Sequence, residues 1–306
     1  MMRHGWTARA SALLVCAWMT MGIAGCGGAQ NRPGPHQALS SKQQRALKLT
    51  QGGQRATIAI VDGGVDTSHP SLRGVVHRSW VARGLDSSPT LHATQLAGIV
   101  AGRPTKDFSG GLAPAAHLLD AKALAADGTG LPMDIARALL WAGEQGADVV
   151  LASFGLENDE PSVRHAIAAL RGRGIVVVAA TGNGFGAFDL YPAKYPDVLG
   201  ITAYTSRGER LGMANWRNAD LAAPGERIWA PTLGDGYAPV SGTSVATAVG
   251  TALVAACGDH RSIGADKDQV GPAWQDGWLS TPENRVPKIA CPELATAAED
   301  TDKEPR

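Results

Sequence analysis

The sequence predicts an α/β fold in which a mostly parallel central sheet carries helices on both faces. Three observations predict it. Strand-like and helix-like stretches alternate through the middle of the chain, which is the mark of βαβ units. The strand-like stretches, such as Thr57-Ile58-Ala59-Ile60-Val61, are apolar throughout and do not alternate with polar residues, so they read as strands covered on both sides. The run from Val245 to Cys257 carries no charge and reads as a helix buried all round.

At the start of the chain, Arg3, His4 and Arg9 precede the apolar run Ala10 to Ala24, the layout of a secretory signal over residues 1–25. The run ends Ile23-Ala24-Gly25-Cys26, which resembles the lipobox of bacterial lipoproteins and implies lipidation of Cys26. A cell-envelope protein tethered to the lipid bilayer is therefore expected, with residues 26–45 as lipidated terminus and linker. Pro33, Gly34 and Pro35 suit such a linker. Residues 46–258 are expected to form the catalytic domain, and 259–306 a C-terminal extension ending in a charged, disordered tail.

Lys and Arg together number 28, as do Asp and Glu, and no basic cluster stands out, so nucleic acid is not an expected partner. Of four cysteines, Cys257 and Cys291 lie outside the leader and lipobox. A disulfide between them is allowed in an exported protein, but Cys257 equally suits a small buried hydrophobe.

Within the domain, Thr57–Val61 is bounded by Gly53 and by Asp62-Gly63-Gly64, which puts Asp62 at the carboxyl end of a buried strand. Open parallel sheets build their sites at that edge. His117–Lys122 is the next strand. Pro132–Gln145 is a helix with Ile135, Ala138, Leu139 and Ala142 on one face and Gly146 as its stop. Asp148–Ala152 is a strand, Pro161–Arg171 a helix with Val163, Ile167 and Leu170 in register, and Ile175–Ala180 and Val198–Ala203 are further strands.

Ser244 lies at the head of the buried C-terminal helix, where free backbone N–H groups favour negative charge on an oxygen. A serine there also serves as an ordinary N-cap, and both readings stand at this point. A serine nucleophile needs a base, and the base a carboxylate. His92, opening the small-residue stretch Leu91-His92-Ala93-Thr94-Gln95-Leu96-Ala97-Gly98, and Asp62 supply those types, although each also suits a helix start or a turn. The chain order Asp62, His92, Ser244 is that of the subtilisin triad.

The chain resembles the subtilisin-like serine proteases from about Ala46 to Cys257. Ile58 to Pro70 resembles the family's Asp motif, with Gly63 where Ser or Thr is usual and His69 at a non-catalytic position. Gly111-Leu112-Ala113-Pro114, Ser153-Phe154-Gly155, Ala179-Ala180-Thr181-Gly182-Asn183, Tyr191-Pro192-Ala193, Ala222-Ala223-Pro224-Gly225 and Ser241-Gly242-Thr243-Ser244 follow in the family's order. The resemblance implies a three-layer subtilisin-like fold and a secreted, membrane-anchored serine endopeptidase acting on peptide or protein. It assigns Asn183 to the oxyanion hole and Ser153, Phe154 and Gly155 to substrate binding; the Phe185 and Phe188 loop is expected to border the specificity pocket.

Two departures stand out. Ala93 replaces the glycine of the family's His-Gly-Thr, and the proline that follows the serine is absent, since Thr247 is followed by Ala248. No cofactor is expected, and no metal: at Ser71, where many relatives place a calcium-binding carboxylate, there is none. The segment before the domain is too short for the family's folding prodomain, so self-activation by prodomain cleavage is not expected. Two other functions fit the same residues: a non-cleaving peptide- or partner-binding protein, favoured by Ala93, and a peptide cyclase or transferase in which an amine captures the acyl-enzyme.

Overall fold

The computed structural model describes residues 55–256. The expected signal, Cys26, the linker, the Cys257–Cys291 pair and the C-terminal extension lie outside the described residues.

The chain starts with β1 (Thr57–Asp62), whose Ile58, Ala59, Ile60 and Val61 are buried on both faces. Next come β2 (Val76–Val81), α1 (Leu91–Ala101), β3 (His117–Lys122), α2 (Pro132–Glu144), β4 (Val149–Ala152), α3 (Pro161–Gly172), β5 (Val176–Ala180), β6 (Val198–Tyr204) and β7 (Leu221–Pro224). A two-stranded antiparallel hairpin, β8 (Ile228–Pro231) with β9 (Tyr237–Val240), precedes α4 (Thr243–Ala255). The seven-stranded sheet runs β2-β3-β1-β4-β5-β6-β7 and every pairing in it is parallel.

Alternation along the strands divides the core in two. Ile58, Ile60, Leu118, Leu151, Val178 and Ile201 face α1 and α4, which supply Leu96, Ile99, Val100, Val245, Val249 and Val254. Ala59, Val61, Leu119, Val150 and Val177 face α2 and α3, which supply Ile135, Leu139, Val163 and Ile167. Burial near 25 cal/mol per Å² of apolar surface on both faces is what makes the runs continuously apolar. The α/β, three-layer expectation therefore holds. The expected helix at Pro132 ends one residue earlier than expected, and that at Pro161 one residue later.

Four strands were not expected. β2 is an edge strand whose His77, Arg78 and Ser79 are exposed and whose pairing is broken by a bulge, so it carries no apolar run. β7, β8 and β9 have four residues each and contain prolines, below the length at which a pattern declares itself.

The connection from β3 to β4 passes over β1, so the strand order turns beside β1. That places the carboxyl ends of β1 and β4, with Asp62 and Ser153, at the edge where such sheets form crevices. By the same alternation Asp62, Asp120, Lys122 and Ser153 share the face of the sheet that α1 and α4 cover.

Candidate active site

Asp62 is the last residue of β1 and is buried, 2% exposed. Its Oδ1 accepts the Gly63 backbone N–H at 2.7 Å, which leaves Oδ2 for His92 Nδ1 at 2.8 Å. A carboxylate bound at Nδ1 puts the neutral ring's proton there and leaves Nε2 as the basic nitrogen. Burial pushes the His92 pKa down, but the charge of Asp62 and its hydrogen bond outweigh this, and the net direction is upward from 6.5.

His92 is held by the start of α1. Thr90 caps that helix: its Oγ1 accepts the Ala93 N–H at 3.3 Å, its own N–H donates to Gly64 O at 2.8 Å, and its carbonyl accepts Thr94 Oγ1 at 2.7 Å. Thr94 Oγ1 in turn accepts the Asp66 N–H at 3.0 Å. The helix start and the loop after β1 are thus tied at several points, which fixes the histidine against the aspartate. A Cβ on Gly63 would lie 2.4 Å from the Thr90 methyl and 2.6 Å from Thr90 Oγ1. Thr90 fills the space that a Ser or Thr at position 63 would need, so Gly63 and Thr90 are a matched pair.

Ala93 is fully buried and belongs to the core between the sheet and the helices α1 and α4. Its methyl group adds to that core.

Ser244 is the second residue of α4. The N-cap is Gly242, at φ 142°, and no side chain caps the helix, so the capping role open to Ser244 is not the one it fills. Gly242 is needed twice over. Its positive φ is strained for any L side chain, and a Cβ there would lie 3.3 Å from Asn183 Nδ2. Among the described residues the Ser244 hydroxyl forms no hydrogen bond; such bonds are often long in unliganded sites.

Asn183 follows β5 in the loop Thr181–Asn183. Its Oδ1 accepts both the Thr243 backbone N–H at 3.0 Å and Thr243 Oγ1 at 3.1 Å. A backbone N–H can only donate, so it is the oxygen end of the amide that faces Thr243, the first residue of α4. Thr243, one residue before Ser244, therefore aims Asn183, and the sequence reading had not singled it out. Nor had it singled out Thr90, although a threonine immediately before a small-residue helix is a legible cap signal.

Ser153, Phe154 and Gly155 follow β4, but Phe154 is 2% exposed and packs in the core against α2 and α3. Only its backbone is available to a substrate. Ser153 is 1% exposed with an unpartnered Oγ. Phe185 and Phe188 are exposed on the loop beyond Asn183.

Asp120, on β3, was also missed. It is 7% exposed, its Oδ2 accepts the Val65 N–H at 3.1 Å, and its Oδ1 has no partner. Burial raises its pKa to about 6 against the Val65 hydrogen bond; nearby Asp62 adds to the rise and Lys122 opposes it.

His69 is fully buried. Its Nδ1 accepts the Ser71 N–H at 3.1 Å, so Nε2 carries the proton and donates to Gly236 O at 3.1 Å. With the Gly234 N–H donated to Asp66 Oδ2 at 3.0 Å, this ties the β8–β9 hairpin to the loop after β1. His69 is structural, in line with its non-catalytic place in the motif.

The comparisons agree with this geometry. The model of the subtilase family, peptidase S8, matches residues 53–261. The thermophilic serine proteinase of Bacillus sp. (strain AK1) is 34% identical over 208 residues, 66% of this chain and 52% of that protein, so the chain spans about half of that relative's length. Thermitase of Thermoactinomyces vulgaris is 34% identical over 201 residues, 64% of this chain and 72% of that protein. Among solved structures, that of the prenylagaramide maturation protease PagA superimposes with a TM-score of 0.66 at 25% identity, covering 75% of this chain and 87% of that one. With its parallel sheet, its Asp62–His92 pair and its serine at the head of a buried helix, the chain belongs to the subtilase family.

Proposed function

We propose that the protein is a serine endopeptidase. Ser244 Oγ attacks a peptide carbonyl while His92 Nε2 takes its proton, and the leaving amine receives that proton as the acyl-enzyme forms. Water then attacks the acyl-enzyme with His92 again as base, and Ser244 is regenerated. Asp62 holds the His92 tautomer and stabilises the imidazolium. Asn183 Nδ2 and the Ser244 backbone N–H donate to the oxyanion, and one such donor is worth about 3 kcal/mol of the barrier. The backbone of Ser153–Gly155 pairs with an extended substrate.

The observation that carries this reading is the 2.8 Å bond from His92 Nδ1 to the buried Asp62. A solvated histidine at a helix start has no use for a desolvated carboxylate. The non-cleaving reading rests on Ala93, whose methyl group lies in the core. Capture of the acyl-enzyme by an amine would use the same residues and differs only in its products. In the proposed setting the domain is exported and tethered through lipid on Cys26. Labelling with a fluorophosphonate tests the mechanism without a known substrate: wild-type protein labels, and Ser244→Ala and His92→Ala do not. Folded wild-type protein that resists labelling would sink the proposal.

A further inference from the structure

A cationic, aromatic surface beside Asn183 has no part in the mechanism above. Trp216 lies between two arginines: the guanidinium carbon of Arg210 is 5.2 Å from its ring centroid and that of Arg217 is 5.9 Å. Both arginines are exposed. Among the described residues neither has a carboxylate within ion-pair distance, whereas Arg137, Arg164, Arg171 and Arg207 each have one.

The loop that starts at Asn183 runs directly onto this surface. The Phe185 N–H donates to Met213 O at 2.9 Å and the Gly186 N–H to Asn215 Oδ1 at 2.7 Å. A Cβ on Gly186 would lie 3.0 Å from Trp216 Nε1, so the two loops are in close contact. Phe185 is held at φ 55° and is 77% exposed. A bulky residue in the left-handed region is strained, and strain of this kind persists at ligand-binding positions. Its ring gains no internal packing in return.

We infer that this surface binds an acidic stretch of the peptide substrate, with side-chain carboxylates on Arg210 and Arg217 and the neighbouring apolar groups over Phe185 and Trp216. A guanidinium stacked on an aromatic face keeps its N–H edges free for a carboxylate and loses little freedom on binding one. The stretch must lie close to the scissile bond, because Phe185 is two residues from Asn183. The inference rests on the protease reading for the word substrate, but the binding itself does not depend on turnover.

The test uses the full mature chain carrying Ser244→Ala, which cannot cleave. Two fluorescent peptides differing only in Glu against Gln at flanking positions are titrated and followed by anisotropy. The Glu peptide binds about tenfold more tightly at low salt. The difference largely disappears at about 0.5 M salt and in the Arg210→Ala/Arg217→Ala variant. Equal affinities overturn the inference, as does discrimination that survives the double substitution. Arginine-dependent binding to vesicles of anionic phospholipid without peptide discrimination also overturns it, in favour of a membrane surface. If wild-type protein failed to label with a fluorophosphonate, the protease reading would fall while this measurement still gave its answer.

Discussion

Replacing Asp120 by Asn should make the protein more stable at neutral pH and leave it nearly unchanged in acid. Folding raises the Asp120 pKa from the ordinary 3.8 to about 6, chiefly because the carboxyl is buried. Below the unfolded value both states are protonated and nothing is lost. As pH rises from about 4 to about 6, the unfolded chain releases the proton while the folded one keeps it, so stability falls; above that it stays lowered. A gap of about two pH units at 1.36 kcal/mol each gives a loss of about 3 kcal/mol. Asn cannot ionise, and its oxygen can still accept the Val65 N–H. Its NH2 group takes the place of Oδ1, which has no partner in the wild type either, so in acid the two side chains leave about the same number of bonds unmade. The stability difference between Asp120→Asn and wild type should therefore grow by about 2.5 kcal/mol between pH 4 and pH 7.5, or roughly 5 to 10 °C in Tm for a domain of this size. Urea unfolding in a Ser244→Ala background, which prevents self-digestion, measures it. A difference that is the same at both pH values would refute the assignment of a buried, neutralised carboxyl.

Four further outcomes are expected. Asp62→Asn should cut kcat by about ten-thousand-fold; because it removes what raises the His92 pKa while burial remains, the acid limb of the residual pH–rate profile should move to lower pH. Asn183→Ala should lower kcat by about a hundred- to a thousand-fold with KM nearly unchanged, and a change in KM alone would make Asn183 a ground-state contact. Gly63→Ser should lose most labelling by a fluorophosphonate, because its Cβ collides with Thr90, and Thr90→Gly in the same chain should restore it; failure of the double variant to recover would dissolve the matched pair. Cys26→Ala should release the protein from bacterial membranes and remove a metabolically incorporated fatty-acid label.

What could be read from the sequence follows from how each residue is buried. β1, β3, β4, β5 and β6 are covered on both faces, so their apolar runs had to be continuous and were visible. β2 escaped because one sheet edge and the solvent ask little of it: His77, Arg78 and Ser79 satisfy both. Asp62, His92 and Ser244 could be picked out together because the chemistry asks for their types and the family resemblance supplies their order; the structure joins His92 to Asp62. Thr243, Thr90 and Asp120 could not, since their roles arise from contacts across the chain: Thr243 to Asn183, Thr90 to Gly63, and Asp120 to Val65. Phe154 is legible only in part. The motif match offers its backbone to a substrate, while alternation along the chain turns its ring into the core.

The place of α4 couples closure of the core to the placement of Ser244. This helix packs on α1 and on β4, β5, β6 and β7, and Val245, Val249 and Val254 lie among the most deeply buried residues of its half of the core. A chain in which α4 is not docked exposes the apolar underside of four parallel strands. Under the proposed mechanism its Asp62 and His92 then have no positioned hydroxyl to activate. Docking of α4 and placement of Ser244 are one event, so under the proposed mechanism hydrolytic capacity cannot precede closure of this half of the core.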